Sequence, residues 1–173
     1  MTYVNVEIKA RCSNPDLIRN YLKQHKAEFK GTDHQTDTYF NVNNGRLKLR
    51  EGNIENNLIF YHRTDRLDAK ESHFQLVKVA DSAGLKKVLS ESLGIKAVIE
   101  KKREIYFITN VKFHIDEVEG LGNFVEIEAS NLYQNTPKEE LQRQCNFYLD
   151  ELKIQQQDLI ADSYSDMLLE KSK

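Results

Sequence analysis

Five carboxylates fall in the run His114-Ile115-Asp116-Glu117-Val118-Glu119-Gly120-Leu121-Gly122-Asn123-Phe124-Val125-Glu126-Ile127-Glu128. Gly120-Leu121-Gly122 is a turn signal between two strand-like runs, so the segment reads as a β-hairpin. With those three residues as the loop, Glu119 pairs with Asn123, Asp116 stands opposite Glu126, and His114 stands opposite Glu128. Like charges placed face to face destabilise a sheet. A cation between them relieves the repulsion, and carboxylate oxygens suit a hard divalent ion such as Mg²⁺ or Mn²⁺. The same alternation also fits a solvated edge hairpin with its charges on the wet face.

Cationic residues recur at strand spacing elsewhere. Lys48 and Arg50 lie two apart, as do Lys101 and Arg103. Each pair therefore points to one side of its strand and can reach successive phosphates, the Arg as a fork and the Lys as a point charge. Arg63 and the pair Glu7 and Lys9 have the same placement on further strands. Any one pair alone reads as an ordinary solvated face. Their recurrence on several strands points to a shared anion-gripping surface, with carboxylates holding a metal that bridges the anion.

These side chains need strands to position them, and period-2 alternation supplies eight. Val4, Val6, Ile8 and Ala10 alternate with Asn5, Glu7, Lys9 and Arg11, which gives a strand over Val4–Arg11. Gln35–Asn41, Arg46–Glu51 and Leu58–Arg63, separated by Asn43-Asn44-Gly45 and Gly52-Asn53, read as an antiparallel meander. Ser72–Val79, Val98–Ile108, Val111–Val118 and Phe124–Ala129 complete the set, and Thr64–Lys70 reads as a short, charged, mobile connection. Asn14 and Pro15 open a helix to Ala27, and Asp81 caps another, built on Leu85, Val88, Leu89 and Leu93, that stops at Gly94. Thr136-Pro137-Lys138-Glu139 reads as a capping box for a helix through Leu141, Cys145, Tyr148 and Leu149. A last helix spans about Asp158 to Glu170.

The polar strand faces carry charges of both signs almost to the exclusion of Ser, Thr and Gln. The economical arrangement is an α+β fold: a closed or nearly closed eight-stranded antiparallel β-barrel, its outer apolar face covered by helices and its interior a charged, water-filled tunnel. Tyr39, Phe40, Tyr61 and Tyr106 read as core or helix-packing groups, with stacking on a base at the tunnel mouth as the alternative for one of them.

Composition narrows the function. The 173 residues fit a single domain over 1–173, and 25 basic against 27 acidic residues, a formal charge of -2, argue against a nucleic-acid or membrane coat. Cys12 and Cys145 have no metal-ligand spacing and read as reduced packing residues. Neither a signal-like N-terminus nor a membrane-length apolar run occurs, so a cytoplasmic protein is expected. The five histidines show no paired zinc spacing.

The order and spacing of Val6-Glu7-Ile8-Lys9, Gln35-Thr36-Asp37-Thr38-Tyr39-Phe40, Gly45-Arg46-Leu47-Lys48-Leu49-Arg50-Glu51, Leu58-Ile59-Phe60-Tyr61-His62-Arg63, Lys101-Lys102-Arg103-Glu104, the hairpin Asp116–Glu128 and Ser163-Tyr164-Ser165-Asp166 resemble the CYTH superfamily. That superfamily includes class IV adenylyl cyclases, thiamine triphosphatases and inorganic tripolyphosphatases. The resemblance implies an eight-stranded antiparallel tunnel that binds a triphosphate with Mg²⁺ or Mn²⁺. Glu7, Asp116, Glu126 and Glu128 look like its metal ligands. Lys9, Lys48, Arg50, Arg63, Lys101 and Arg103 look like its phosphate cradle, with Lys78 as a further candidate. Lys9 or a carboxylate would orient water, and His114 would be a hydrogen-bonding neighbour of Glu128. One departure stands out: the family opens Glu-x-Glu-x-Lys, and Asn5-Val6-Glu7-Ile8-Lys9 has an amide oxygen where one anionic charge belongs. Three activities follow as expectations: hydrolysis of tripolyphosphate or an organic triphosphate such as thiamine triphosphate, cyclisation of ATP to cyclic AMP and pyrophosphate, or triphosphate binding without turnover. A homodimer is a further expectation.

Overall fold

Strands with one apolar and one charged face must hide the first and hydrate or pair the second, and closure into a barrel does both. The computed structural model describes residues 3–63 and 68–173. Its strands are β1 (Tyr3–Arg11), β2 (Glu28–Phe40), β3 (Arg46–Glu51), β4 (Asn57–Arg63), β5 (Lys70–Lys78), β6 (Ile95–Ile108), β7 (Val111–Val118) and β8 (Gly122–Ser130). They close in the order β1-β5-β4-β3-β2-β6-β7-β8, antiparallel throughout, as β8 returns to β1. A closed barrel has no free edge along which another chain can pair.

Four helices, α1 (Pro15–Gln24), α2 (Ser82–Leu93), α3 (Lys138–Glu151) and α4 (Tyr164–Lys171), join the barrel in different ways. Val6, Ile8 and Ala10 of β1, Val111, Phe113 and Ile115 of β7, and Val125, Ile127 and Ala129 of β8 form an outer apolar face. Ile18 and Leu22 of α1 and Leu141 and Cys145 of α3 cover it. Each aliphatic side chain buried there contributes about 1.5–3 kcal/mol. α4 packs differently: Tyr164, Met167 and Leu168 meet Tyr39, Tyr61, Phe74, Ala97, Ile99, Val118 and Phe124, side chains of the inward face. The helix therefore closes one end of the barrel. Among the described residues no helix is long and apolar enough to cross a membrane.

Several boundaries differ from the sequence reading. α1 stops at Gln24 because Lys26 adopts φ 55°, and the amides of Lys26 and Ala27 donate back to Lys23 and Leu22 carbonyls. This Schellman-type ending frees β2 to begin at Glu28 and pair with β6 from Glu28–Phe107 to Phe40–Ile95. α2 is capped by Asp81, which accepts from the Gly84 amide at 2.9 Å, but buries no side chain; Val88 is 62% exposed. Its apolar face therefore does not cover the barrel as the spacing predicts. Thr136 caps nothing: Pro137 holds the N-cap position, and the Thr136 hydroxyl donates to the Gln134 carbonyl. The capping box belongs to Ser163 and Asp166, which start α4 at Tyr164, not near Asp158. Of the connection expected over Thr64–Lys70, residues 64–67 lie outside the described residues, and Lys70 already belongs to β5.

The β7–β8 register also differs. Val118 faces Gly122 around the loop Glu119-Gly120-Leu121, closed by the Leu121 amide on the Val118 carbonyl at 3.0 Å. Gly122, with φ 100°, is the first residue of the returning strand and lies outside the loop. His114 therefore faces Glu126, and Asp116 faces Phe124. A shift of two residues changes every partner but leaves each side chain on its face.

Candidate functional site

The inward faces enclose a cavity of about 540 Å³. Asn5, Glu7, Lys9, Lys48, Arg50, Arg63, Lys78, Lys101, Arg103, His114, Glu126 and Glu128 all line it. Asp116 does not: its carboxylate receives Arg103 at 2.7 and 2.5 Å and the Tyr164 hydroxyl at 2.8 Å. Of the four carboxylates expected to bind metal, Asp116 instead anchors an arginine and the start of α4.

Register assembles the acidic wall. Across β1 and β8, Glu7 faces Glu128 and Lys9 faces Glu126; across β7 and β8, His114 faces Glu126 and Lys112 faces Glu128. Arg63 Nη1 donates to Glu7 at 2.8 Å. Glu126 receives Arg103 Nη2 at 2.9 Å, pairs with His114 Nδ1 at 3.1 Å, and lies 3.5 Å from Lys9 Nζ. Burial pushes Glu126 upward, but the Arg103 and Lys9 charges hold it well below the usual carboxylate range. Glu128 goes the other way. Burial and the charges of Glu7, Glu126 and Glu55 raise it against the pull of Lys112.

Among the described residues, Asn5 Oδ1 and His114 Nε2 on this wall are buried without a partner. Burial and the Arg103 charge push His114 down to about 4, so the ring is neutral near pH 7. Its Nδ1–H then donates to Glu126, which makes Nε2 an unused acceptor. The partner predicted for it was Glu128; the two-residue shift supplies Glu126.

The basic wall comes from β3 and β6 and converges on a carboxylate to which the sequence reading gave no role. Asp37, on β2, receives Arg50 through Nε at 2.8 Å and Nη2 at 2.9 Å, Lys101 Nζ at 2.7 Å and Lys48 Nζ at 3.3 Å. Burial would raise its pKa, yet Arg50, Lys101 and Lys48 hold it well below the usual range. Lys101 is drawn down to about 7, first by burial and then, against the help of Asp37, by Arg50, Arg103 and Lys48.

Other residues went unrecognised. Asp33 accepts the amides of Ile54 at 2.9 Å and Glu55 at 3.0 Å, which fixes the β3–β4 loop over the cavity. A Cβ on Gly52 would lie 2.5 Å from Asp33 Oδ1, so the loop needs glycine there. Glu55 thus reaches Arg50 Nη1 at 2.9 Å and pairs with Lys112. Lys112 was legible from strand parity, two residues before His114; Glu55, in a turn, carried no such signal. Lys70 Nζ donates to the Ile160 and Ala161 carbonyls at 2.7 Å each, while Lys9 Nζ donates to Asp162 O at 3.3 Å and lies 4.0 Å from the Tyr164 ring centre. Burial pushes Lys70 down to about 8 and lowers Lys9. Lys9 of the tunnel and the buried Lys70 thereby hold the segment leading into α4. Tyr39 and Tyr61 are the core groups packed with α4 that the sequence implies, and they also line the cavity, while Phe40 is buried outside its lining.

Among the described residues no three His, Cys, Asp or Glu side chains form a ready-made metal cluster. The donors present nevertheless fit a hard cation: Glu7 and Glu128 face each other, Glu128 is raised by burial and then by neighbouring negative charge, and Asn5 Oδ1 is buried with no partner among the described residues.

A closed antiparallel barrel that sets lysines and arginines against carboxylates around one cavity defines a charged tunnel. The chain belongs to the CYTH domain family, whose model matches residues 4–164. It is similar to a Methanocaldococcus jannaschii protein named "putative adenylate cyclase", with 28% identity over 95% of this chain and 98% of that one. Among solved structures, a protein from Pyrococcus horikoshii superposes with a TM-score of 0.81 at 23% identity, covering 94% of this chain and 98% of the other. A "putative adenylyl cyclase" from Hippeastrum, described as having a dominant triphosphatase activity, superposes with a TM-score of 0.65 at 13% identity over 98% and 95% of the two chains.

Proposed function

We propose that the tunnel binds a triphosphate chain together with Mg²⁺ or Mn²⁺ and hydrolyses it, with tripolyphosphate or an organic triphosphate as substrate. The observation that carries this reading is the convergence of Lys9, Lys48, Arg50, Arg63, Lys101 and Arg103 on one cavity that also holds Glu7, Glu126 and Glu128. Cations of β3 and β6 grip successive phosphates. Glu7, Glu126, Glu128 and the Asn5 amide oxygen are the protein's donors to the metal. Bound there, a hard divalent ion supplies charge neutralisation at the phosphate oxygens.

Lys9, beside Glu126, orients a water in line with the terminal phosphorus. The new O–P bond forms as the bridging P–O bond breaks, the water proton passes to a carboxylate or solvent, and the leaving diphosphate carries its charge onto Arg and Lys side chains. Because most of these charges are already paired and buried, their orientation is set during folding and little reorganisation is left for the reaction.

The name of the M. jannaschii relative favours a second reading, attack of the ATP ribose hydroxyl on the α-phosphorus with pyrophosphate as leaving group. Incubating the purified protein with Mg²⁺ or Mn²⁺ and tripolyphosphate, ATP or thiamine triphosphate separates the two by product: orthophosphate for hydrolysis, cyclic nucleotide with pyrophosphate for cyclisation. Tight metal-dependent binding without turnover would refute both and leave a binding module.

A further inference from the structure

We infer that Asp37 is a built-in placeholder for a phosphoryl group: its carboxylate occupies the seat formed by Lys48, Arg50 and Lys101, and an incoming phosphate chain displaces it. The inference rests on the phosphate-binding reading of the tunnel and deepens it by assigning one subsite and its competitor.

Four contacts place the carboxylate there: both of its oxygens in the fork of Arg50, at 2.8 and 2.9 Å, and Oδ2 also on Lys101 at 2.7 Å and Lys48 at 3.3 Å. A planar fork with two flanking ammonium groups is the donor set that a phosphoryl oxygen pair would use. Asp37 is 1% exposed yet lines the cavity, so it stands between these cations and the space a ligand enters. Arg50 and Lys101, both buried, and the half-buried Lys48 need an anion among them at this spacing, since burial and mutual repulsion draw Lys101 down to about 7 even with Asp37 present.

The other cradle arginines are held by carboxylates on different strands: Arg103 by Asp116 and Glu126, and Arg63 by Glu7. Asp37 differs in gathering three cradle cations at once. An internal anion at this point raises the concentration at which any phosphate compound occupies the seat. Orthophosphate and a released diphosphate are then not retained, while a longer chain that also reaches Arg103, Arg63 and Lys9 still binds.

The test is Asp37→Asn, which keeps the shape and removes the charge. A placeholder predicts tighter binding of orthophosphate and pyrophosphate by calorimetry, by about tenfold or more, and, where turnover is measured, a fall in both KM and kcat because product leaves slowly. A carboxylate that merely orients the three cations predicts the opposite sign, weaker binding of every phosphate and a higher KM, and that result overturns the inference. Should the variant be unstable, orthophosphate is expected to raise its Tm more than it raises the wild-type Tm; an equal or smaller rise also overturns it. A crystal of the wild type with tripolyphosphate and Mg²⁺ gives a reading free of mutation. Phosphate oxygens are expected on Lys48 and Arg50 with Asp37 moved off at least one of its cations, and a bound chain that leaves all four Asp37 contacts intact is the refuting result. A wild type that ignores tripolyphosphate, beside an Asp37→Asn protein that takes up orthophosphate, would sink the triphosphate reading and leave the placeholder standing.

Discussion

Lys101 should make the affinity proposed for a polyphosphate depend on pH, and the expected size follows from its surroundings. Its amine is buried beside Arg50, Arg103 and Lys48, with the Asp37 carboxylate opposing them, and burial draws it down to about 7 from an ordinary 10.5. Between those two pH values the unfolded chain binds the proton that the folded, ligand-free chain lacks, so this group makes free-protein stability rise with pH. Ligand binding has the opposite sign. A bound polyphosphate restores anionic charge, raises the Lys101 pKa, and obliges the site to take up a proton wherever the free amine is neutral. At about pH 8 the uptake is about nine-tenths of a proton, and from about pH 7 upward the affinity falls by about tenfold per pH unit until the bound-state pKa is reached. Calorimetry with tripolyphosphate and Mg²⁺ in two buffers of different ionisation enthalpy measures the uptake directly. Lys101→Met is the control, because subtracting its uptake removes contributions from the ligand, Lys9 and Lys70. Its affinity should be lower than wild type at about pH 6, with the gap narrowing by about tenfold per pH unit above about pH 7 until the bound-state pKa is reached. Equal proton uptake by wild type and variant at about pH 8 would refute the account.

Glu128→Gln removes a carboxylate held above its usual range by burial and by Glu7, Glu126 and Glu55; Mn²⁺ titration in the presence of tripolyphosphate should show metal affinity reduced by about tenfold, and an unchanged titration would mean that this hairpin does not hold the ion. The same variant should resist urea at least as well as wild type, because it loses an inadequately compensated buried charge. Asn5→Glu places a carboxylate where an amide oxygen is buried without a partner, so metal-dependent turnover should rise; an unchanged rate shows that the amide suffices. Leu141→Ala opens a cavity where the fully buried Leu141 of α3 packs on the barrel, and urea denaturation should show a loss of about 2–5 kcal/mol, whereas a loss well under that range would mean α3 is not held by this contact.

Period-2 alternation made the strands legible because it is a local property: Val4 to Arg11 shows which side chains share a face whatever β1 pairs with. Closure made those faces an inside and an outside, so Glu7, Lys9, Glu126 and Glu128 arrived in the cavity although the β7–β8 register had been placed two residues away. The helices were less legible because their ends depend on non-local partners. Ser163 caps α4 with Asp166, which in turn binds Arg46 of β3 at 2.9 Å, while the Thr-Pro-Lys-Glu pattern at 136–139 has every local feature of a capping box and makes none.

The pairing of charges inside the tunnel lay beyond sequence reasoning for a related reason. Strand parity says that Asp37 and Asp116 point inward, but not that one gathers three cations of the cradle while the other is absorbed by Arg103 and Tyr164. Those outcomes depend on strand order around the closed barrel, which puts β2 between β3 and β6 so that one carboxylate can reach Arg50 on one side and Lys101 on the other. The same order leaves Glu128 with raised basicity and Asn5 with an unused oxygen, on a wall remote in sequence from Asp37. A tunnel built this way has unmet demand for a cation on its β1–β8 side and, on the placeholder inference, a displaceable anion on its β2–β3–β6 side. An ion pair of metal and phosphate chain satisfies both at once, whereas either component alone satisfies one and worsens the other's electrostatics. Binding of metal and polyphosphate should therefore be mutually dependent, each tightening the other by the same factor.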